Sequence, residues 1–376
     1  MNPVKVAIVG AGVSGLYAAS LLQKAGVSFV MLEARAHTGG RVMSCHAQNG
    51  AKAMKADSEK GSYSFVDLGA TWVWPSFQPQ LAGLLDELEI ELISQCETGD
   101  MLYERDLRTP PSRYPGFESS PSSMRLAGGM HLLTERLRER ISPEAIHTDR
   151  NIKKISLVNG SIELQALSAQ GNAYNYHAEH VLLALPPALT AAIEFTPALP
   201  VSLKRGWTST GTWMAPHAKY VAVYENDFWR NHTLSGEARS GVGPLVEIHD
   251  ASVPGGVSAL FGFVGVPAKT RWTTTEENLV ALCRAQMVRI FGEDAGHPIA
   301  EFFKDWASDN FTATEYDLIA QAGHSVPASS PGEGPWKSII RGIASEWSPL
   351  FPGYLAGAID AAHQGVQEFR STENLI

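Results

Sequence analysis

Residues 5–22, KVAIVGAGVSGLYAASLL, decide how the chain begins to fold. The stretch opens on an apolar, β-branched run, which favours a buried strand, and residues 16–22 have apolar side chains at helical spacing without a breaker. Between the two runs, Gly10, Gly12 and Gly15 form the pattern GxGxxG. The stretch therefore predicts a strand, a tight turn and a helix in immediate succession.

Each glycine of this turn has its own role. Gly10 permits the turn, Gly12 lets the backbone approach a pyrophosphate, and Gly15 lets the helix pack closely on the strand. The helix N-terminus offers unpaired N–H groups and a positive dipole end to phosphates. A second apolar run, residues 28–32, ends in Glu33, a carboxylate placed to accept hydrogen bonds from an adenosine ribose. Together these features predict a dinucleotide-binding domain.

The composition excludes several other classes of protein. A chain of 376 residues is too long for one compact core, which predicts two or three domains. The formal net charge of -9 has the wrong sign for a protein that binds nucleic acid. Cys45, Cys96 and Cys283 are far apart and form no CxxC pair, so they indicate neither a disulfide framework nor a zinc site. Three isolated cysteines favour a reducing, cytoplasmic setting.

Neither a signal peptide nor a membrane span is expected. The apolar run of residues 4–22 is broken by three glycines, which the core of a signal peptide does not need. Residues 181–193 are cut by Pro186 and Pro187, and no run reaches the roughly eighteen apolar residues of a membrane span. We therefore expect a soluble protein without a membrane partner and without an anchoring tail.

Two further glycines and an arginine follow the second strand. After Glu33-Ala34-Arg35, the residues Gly39-Gly40-Arg41 could supply a second backbone cradle and a guanidinium for the same pyrophosphate. GxGxxG followed by LEAR and TGGR resembles the flavin-containing amine oxidase family, which includes monoamine, polyamine and L-amino acid oxidases. The resemblance implies an α/β fold, in which a Rossmann-like FAD-binding domain of the GR2 type is interleaved with an α+β substrate domain.

The resemblance continues along the chain. Residues 67–73, DLGATWV, are similar to the segment that returns along the flavin, although Trp74 stands where the family usually has glycine. This indole could narrow the approach to the site or simply pack in a domain seam. Residues 126–140 resemble the segment in which the family's chain returns to the flavin domain. Residues 180–187 resemble a buried strand of the family that ends in Pro-Pro. The implied domain ranges are 1–80, 126–207 and 310–376 for FAD binding, and 81–125 and 208–309 for the substrate.

Two local patterns concern the parts between these motifs. Asn159-Gly160 separates two apolar runs, residues 152–157 and 161–167, which predicts a β-hairpin. The Ser/Pro-rich residues 109–123 are typical of a loop. Because the region 75–127 is shorter than the helical part of the family's substrate domain, part of the roof of the site is missing or comes from a partner subunit, as in a homodimer.

The resemblance assigns catalysis to three side chains. Lys219 would hydrogen-bond through a water to the flavin N5, and Tyr316 and Tyr354 would form an aromatic cage for a neutral amine. A lysine amid Tyr, Val and Ala is unusual in a strand, and the alternative is an edge or surface lysine. Glu315 stands where monoamine oxidases have a flavin-linking cysteine, so the resemblance implies a non-covalent FAD.

The resemblance also implies a set of residues that contact FAD. Ala344 replaces a usual glycine near the end of this set. The implied FAD-binding residues are Gly10, Gly12, Gly15, Glu33, Ala34, Arg35, Gly40, Arg41, Gly69, Ala70, Thr71, Trp72, Ile152, Trp306, Glu346, Tyr354 and Leu355.

The implied function is the oxidation of a primary amine to an imine and aldehyde, with dioxygen reduced to hydrogen peroxide. Two alternatives stay open. A flavin-binding scaffold without turnover would fit the shortened region, although it would have no reason to keep Lys219 and both tyrosines. An L-amino acid oxidase needs an arginine for the substrate carboxylate, and the candidates are Arg105, Arg113, Arg239 and Arg271.

Overall fold

The computed structural model describes residues 3–47, 64–318 and 326–373. Its strands are β1 Val4–Val9, β2 Phe29–Leu32, β3 Ser44–His46, β4 Phe65–Asp67, β5 Leu92–Ser94, β6 Asp100–Glu104, β7 Ser112–Tyr114, β8 Met124–Leu126, β9 Ile146–His147, β10 Asn151–Val158, β11 Ser161–Leu167, β12 Ala173–Leu183, β13 Glu194–Thr196, β14 Ala218–Tyr224, β15 Leu234–Ser240, β16 Leu245–Asp250, β17 Ser258–Val264, β18 Ala300–Asp305 and β19 Ile340–Gly342. Its α-helices are α1 Val13–Lys24, α2 Pro79–Glu87, α3 His131–Glu139, α4 Pro187–Ala191, α5 Val201–Thr208, α6 Phe228–Asn231, α7 Ala268–Arg271, α8 Glu276–Phe291 and α9 Leu355–Thr372.

The described chain divides into two compact units, neither of which is continuous in sequence. The first unit consists of Met1–Arg41, Leu133–Ala215 and Asn310–Ile376, and the second of Val42–Leu132 and Pro216–Asp309. The ranges 1–80, 126–207 and 310–376 are assigned by expected FAD binding, whereas the two units are defined by how compactly the chain packs. The assignment to FAD binding therefore stays a prediction.

The first unit is built on a sheet with the strand order β13-β10-β11-β12-β1-β2-β9. β1 pairs in parallel with both β2 and β12, and the end of β12 also pairs in parallel with β19. The long strand β12 therefore takes β11 as its neighbour over its first half and β19 over its last three residues. The core on this sheet includes two fully buried tryptophans, Trp207 and Trp336. A parallel centre buried on both faces is typical of the predicted α/β class.

The local predictions for the first unit are confirmed. The strand, turn and helix predicted from residues 5–22 are β1, the turn at Gly10–Gly12 and α1. The predicted hairpin is the pair β10–β11, and both turn residues have positive φ, 50° at Asn159 and 81° at Gly160. Two successive positive φ values are those of the turn that matches the twist of paired strands.

The second unit contains a seven-stranded sheet with the order β18-β14-β17-β16-β15-β6-β7. The side chains of Ala218, Tyr220 and Ala222 in β14 pack in the cluster that includes Cys283 and Met287 of α8. The alternate side chains of β14 enter a different cluster. All seven residues of β14 are therefore buried. The prediction of a loop at residues 109–123 is wrong in part. Within this range β7 pairs with β6 as an edge strand that is exposed throughout.

Candidate active site

The glycine turn of the first unit has the geometry of a phosphate cradle. Gly10 has φ +102°, and a Cβ on Gly15 would lie 2.0 Å from the Gly10 carbonyl oxygen. Gly12 caps α1 in extended conformation and makes no side-chain cap hydrogen bond. The first N–H groups of α1 therefore have no side-chain acceptor at the cap, and the positive end of the helix dipole lies at the same place. Only glycines allow this close approach of turn, strand and helix.

A second glycine turn lies against the first. The Gly39 N–H donates to the Ala11 carbonyl (2.9 Å), and Gly12 and Gly39 form an isolated parallel bridge. Gly40 has φ +59°, and a Cβ there would lie 3.0 Å from the Gly12 Cα. The cradle expected from TGGR is thus built directly beside the GxGxxG turn. Because glycine has no Cβ, the space beside these two turns stays open, and a diphosphate fits there.

Glu33 is tied to the same turn by its carboxylate. Its Oε2 accepts from the Ala11 N–H (2.7 Å) and its Oε1 from the Arg35 N–H (2.8 Å). The side chain is 4% exposed. A carboxylate has about four lone-pair sites, so two remain for ribose hydroxyls. The Arg35 guanidinium donates to the Thr312 hydroxyl (3.2 Å), while Ala34 follows Glu33 without a side-chain polar group.

Arg41 is already paired within the first unit. Its Nη1 lies 2.5 Å from Glu346 Oε1, and its Nη2 donates to Glu346 Oε2 and to the Ser345 hydroxyl, both at 3.1 Å. Burial of Glu346 would by itself raise the pKa of that carboxyl, but Arg41 lowers it below its ordinary value. The ion pair holds the guanidinium in one direction and leaves Arg41 Nε and further N–H groups for an anion.

The two predicted cage tyrosines both belong to the first unit and are partly exposed. Tyr316 lies in the 3-10 turn Glu315–Leu318 and is 44% exposed, and Tyr354 caps α9 and is 38% exposed. The Trp213 ring stacks on Tyr354 with centroids 6.3 Å apart and planes at 30°. Sequence reasoning missed Trp213, although a tryptophan in a Gly-Thr-Trp loop just ahead of a buried strand was a usable signal. Leu355 is the first residue of α9.

The remaining predicted FAD-binding residues lie in different surroundings. Ile152 is 6% exposed and packs in the core of the first unit. Gly69, Ala70, Thr71 and Trp72 follow β4 in the second unit. The Trp72 indole N–H donates to Gln95 Oε1 (2.8 Å). Trp306, also in the second unit, donates its indole N–H to the Leu68 carbonyl (3.0 Å).

Lys219 is a buried amine on β14. It is 2% exposed, and its Nζ donates to the Thr71 hydroxyl (2.5 Å) and lies 4.0 Å from the centroid of the Phe261 ring. Burial lowers the pKa of Lys219 to about 7, while Asp67 opposes and Arg125 adds to this shift. The structure therefore rules out the alternative of an edge or surface lysine. A lysine with a pKa near neutrality can give up or take a proton at Nζ.

Two charged residues near Lys219 were missed as site residues. Asp67 is half-buried at the end of β4, where it accepts hydrogen bonds from the Ser44 hydroxyl and the Met130 N–H (2.9 Å). Burial raises the pKa of Asp67, and the charge of Lys219 opposes this rise. Arg125, on β8, is 5% exposed and donates to the Ser252 carbonyl. A charged residue inside a three-residue strand gives no sequence signal of where it points.

Trp74 is engaged in packing. Its indole N–H donates to the Ser123 hydroxyl (3.0 Å), and its ring stacks on Phe77 with centroids 6.1 Å apart. These contacts favour the interpretation that Trp74 is a packed side chain over the one that it narrows an approach.

The four candidate arginines for a substrate carboxylate differ in availability. Arg271 is buried and is held in two hydrogen bonds by Asp305, and it also donates to two backbone carbonyls. Arg113 is exposed and paired with Asp100, and Arg239 is exposed and paired with Glu247. Arg105 is exposed. Arg271, the buried one of the four, already uses four of its five N–H groups in these contacts.

No helix within residues 3–47, 64–318 and 326–373 is long and apolar enough to cross a membrane.

Comparisons with known proteins agree over nearly the whole chain. Residues 98–368 match the family model of flavin-containing amine oxidoreductases, and residues 8–88 match that of NAD(P)-binding Rossmann-like domains. The pig protein described as flavin-containing amine oxidase B is 22% identical over 96% of this chain and 85% of its own length. A flavin-containing amine oxidase of Oncorhynchus mykiss is 23% identical over 98% of this chain and 86% of its own length.

Solved structures show the same fold. Cyclohexylamine oxidase from Brevibacterium oxydans superimposes with a TM-score of 0.79 at 18% identity, covering 99% of this chain and 100% of that one. Putrescine oxidase bound to putrescine gives a TM-score of 0.75 at 20% identity, covering 98% and 99%. The expected Rossmann-like α/β fold is confirmed. The chain belongs to the flavin-containing amine oxidoreductase family, and as such it is an oxidoreductase acting on CH–NH2 donors with FAD as its cofactor.

Proposed function

We propose that this FAD enzyme oxidises a primary amine to an imine, which hydrolyses to an aldehyde and ammonia, and that dioxygen is reduced to hydrogen peroxide. The observation that carries the proposal is the buried Lys219, an amine with a pKa near 7 in a site without an ion-pair partner among the described residues. A packing position in a strand would not select lysine. FAD, when bound, supplies the two-electron acceptor that takes hydride from the carbon bearing the amine.

The tyrosines would bind and orient the amine. Both Tyr316 and Tyr354 are partly exposed, and their rings would attract a cationic amine during docking; an apolar environment would then favour its neutral form. Trp213 extends the aromatic surface at Tyr354. Lys219 would hold or accept a proton at Nζ near neutral pH, because neither of its protonation states is strongly favoured there.

We further propose that FAD is held without a covalent bond. In the alignment by resemblance, Glu315 stands where monoamine oxidases have a flavin-linking cysteine. A carboxylate cannot form the thioether bond that this cysteine makes. The three cysteines are unpaired. Burial raises the pKa of Cys45 to about 11 and that of Cys283 to about 12, which leaves little thiolate for a linkage. Unpaired thiols also support the proposed cytoplasmic location, and the homodimer stays a prediction.

The test is to mix the purified yellow protein anaerobically with primary amines and with L-amino acids, and to watch the flavin absorbance. We expect amines to bleach it and amino acids not to, since Arg271 is buried with four of its five N–H groups already hydrogen-bonded, and the other candidate arginines are exposed. Bleaching by an amino acid alone would favour the amino acid oxidase. A protein that no compound bleaches would be a scaffold.

Lys219→Met separates the proposed catalytic role from FAD binding. We expect the variant to retain FAD and to lose about 10²-fold or more in the rate of flavin reduction or reoxidation, as when a proton-transfer group is removed. Lys204→Met is the matched control, because Lys204 is an exposed lysine of α5 outside the predicted site residues, and its rates should stay at the wild-type level. Wild-type rates in Lys219→Met would remove the lysine from the mechanism.

A further inference from the structure

Thr71 holds Lys219 in a way that the cofactor-binding role expected for it does not explain. The Thr71 side chain is 6% exposed, and its hydroxyl oxygen accepts the hydrogen bond from Lys219 Nζ at 2.5 Å. The other groups around Nζ are weaker: the Gly69 carbonyl at 3.5 Å, and the Phe261 and Phe263 rings at 4.0 and 5.9 Å from their centroids. The hydroxyl is therefore the one short hydrogen bond of this amine within the described part of the chain.

We propose that Thr71 is the positioning residue of the Lys219 amine, fixing the direction of Nζ and stabilising its protonated form. The inference rests on the role proposed for Lys219 and names the residue that sets it. Four methylene groups give a lysine many rotamers, so a single directional acceptor decides where Nζ points. The neighbouring rings attract the cation but impose no direction comparable to that of a hydrogen bond.

Two charged residues act on Lys219 in opposite directions. Asp67 favours the ammonium, and Arg125 disfavours it. On β18, Lys304 lies opposite Lys219 but is paired with Asp309 (2.9 Å). Beyond β17, whose facing residues are Phe261 and Phe263, the charged or titratable side chains of β16 are Glu247 and His249, which lie 3.7 Å from each other, and Asp250. A substitution at Thr71 changes none of these groups, so a change at Lys219 would report on the hydroxyl.

Two substitutions at Thr71 separate the hydroxyl from the packing. Thr71→Val keeps the branched shape and removes the acceptor, whereas Thr71→Ser keeps the acceptor and removes a methyl group. The flavin-loaded protein is labelled with ¹³C at lysine Cε, the Lys219 signal is assigned by its loss in Lys219→Met, and its titration is followed by NMR. Because the hydroxyl favours the charged amine, we expect the midpoint of Lys219 to fall by about 1 pH unit in Thr71→Val. In Thr71→Ser it should stay within a few tenths of a unit.

The outcomes distinguish this inference from the proposed function. An unchanged midpoint in Thr71→Val, or an equal shift in both variants, would overturn the positioning role of Thr71 whatever the turnover. Unimpaired turnover in Lys219→Met would instead overturn the role of the lysine, while the titrations would still report the contact. If both hold, the pH profile of flavin reduction or reoxidation in Thr71→Val should move to lower pH by the same amount as the NMR midpoint.

Discussion

Lys219 occupies a strand position whose neighbours explain why an amine is tolerated there. The odd-numbered side chains of β14 face the cluster that contains Val221, Val223 and Phe261, and the even-numbered ones face α8. Burial on both faces disfavours the charged amine. The Phe261 face, 4.0 Å from Nζ, offsets part of this cost, by roughly 2 kcal/mol for a desolvated cation. A residue kept at such a cost is a candidate for function rather than for stability.

The burial of Lys219 predicts a pH-dependent stability difference between wild type and Lys219→Met. The folded-state pKa of about 7 lies below the ordinary 10.5, so between these values the unfolded chain binds more protons. Wild-type stability therefore rises with pH across this window, and the buried charge destabilises the protein most at pH 7 and below. The advantage of the variant should shrink by about 1.4 kcal/mol per pH unit from 7 toward 10. Urea unfolding of both proteins at pH 6.5–9.5 measures this, and a constant difference would contradict the buried, shifted lysine.

Tyr354 predicts a graded response to substitution. Tyr354→Phe keeps the ring that stacks near Trp213 and removes only the hydroxyl, so KM and kcat for a primary amine should change by less than about 3-fold. Tyr354→Ala removes the aromatic surface and should raise KM about 10-fold or more. Steady-state kinetics with one amine checks both variants. Equal behaviour of the two would argue against an aromatic contact with the substrate.

At the scale of elements, the turn between β1 and α1 is defined by contacts that exclude a Cβ. A Cβ on Gly15 would meet the Gly10 carbonyl at 2.0 Å. The same kind of contact occurs at the start of α9, where a Cβ on Gly357 would lie 2.0 Å from the Phe351 carbonyl. In both places the first turn of the helix packs directly against the backbone that precedes it.

Gly15→Ala is therefore expected to damage the cradle. The overlap with Gly10 should cost about 1–3 kcal/mol of stability and reduce the FAD content of the purified protein, measured by flavin absorbance per protein. Gly83→Ala in α2 is the matched control, because a Cβ there meets nothing within 4 Å. An alanine in that exposed helix interior should stabilise by about 0.5–1 kcal/mol and leave the FAD content unchanged. Full FAD loading in Gly15→Ala would contradict the close-packing role.

At the scale of the whole molecule, the chain passes repeatedly between two units. The first unit collects three separate segments and the second collects two. Residues with predicted site roles occur in both units: Glu33, Tyr316 and Tyr354 in the first, and Thr71 and Lys219 in the second. Truncating the chain at a point that halves its length would thus cut both units rather than separate them.

The release of FAD by acid is a test on the whole protein. Because Glu315 cannot form a thioether and the thiols of Cys45 and Cys283 are buried, precipitation with acid should leave the yellow colour in the supernatant. The absorbance near the flavin maximum is compared between supernatant and redissolved pellet. A yellow pellet after thorough washing would show a covalent link and would overturn the interpretation of Glu315.

The sequence by itself determined the features that depend on a few neighbouring residues. The GxGxxG turn, α1 and the Asn159-Gly160 hairpin follow from local sterics, because the φ of Asn159 and Gly160 and the contact of a Gly15 Cβ with the Gly10 carbonyl each involve residues of one turn. A strand as short as β7 lacks such a pattern and was missed within the expected loop. Its pairing with β6 comes from the sheet edge rather than from its own propensity.

Only the tertiary structure decided the surroundings of each functional side chain. The sequence named Lys219, Glu346 and Arg41, but not that Arg41 pairs with Glu346 across 305 residues, nor that Thr71 holds Lys219 across 148. The sequence likewise did not predict that the charges of Asp67 and Arg125 act on Lys219. The physical reason is that burial, hydrogen-bond direction and pKa depend on which distant segments pack together, and no local pattern encodes that choice.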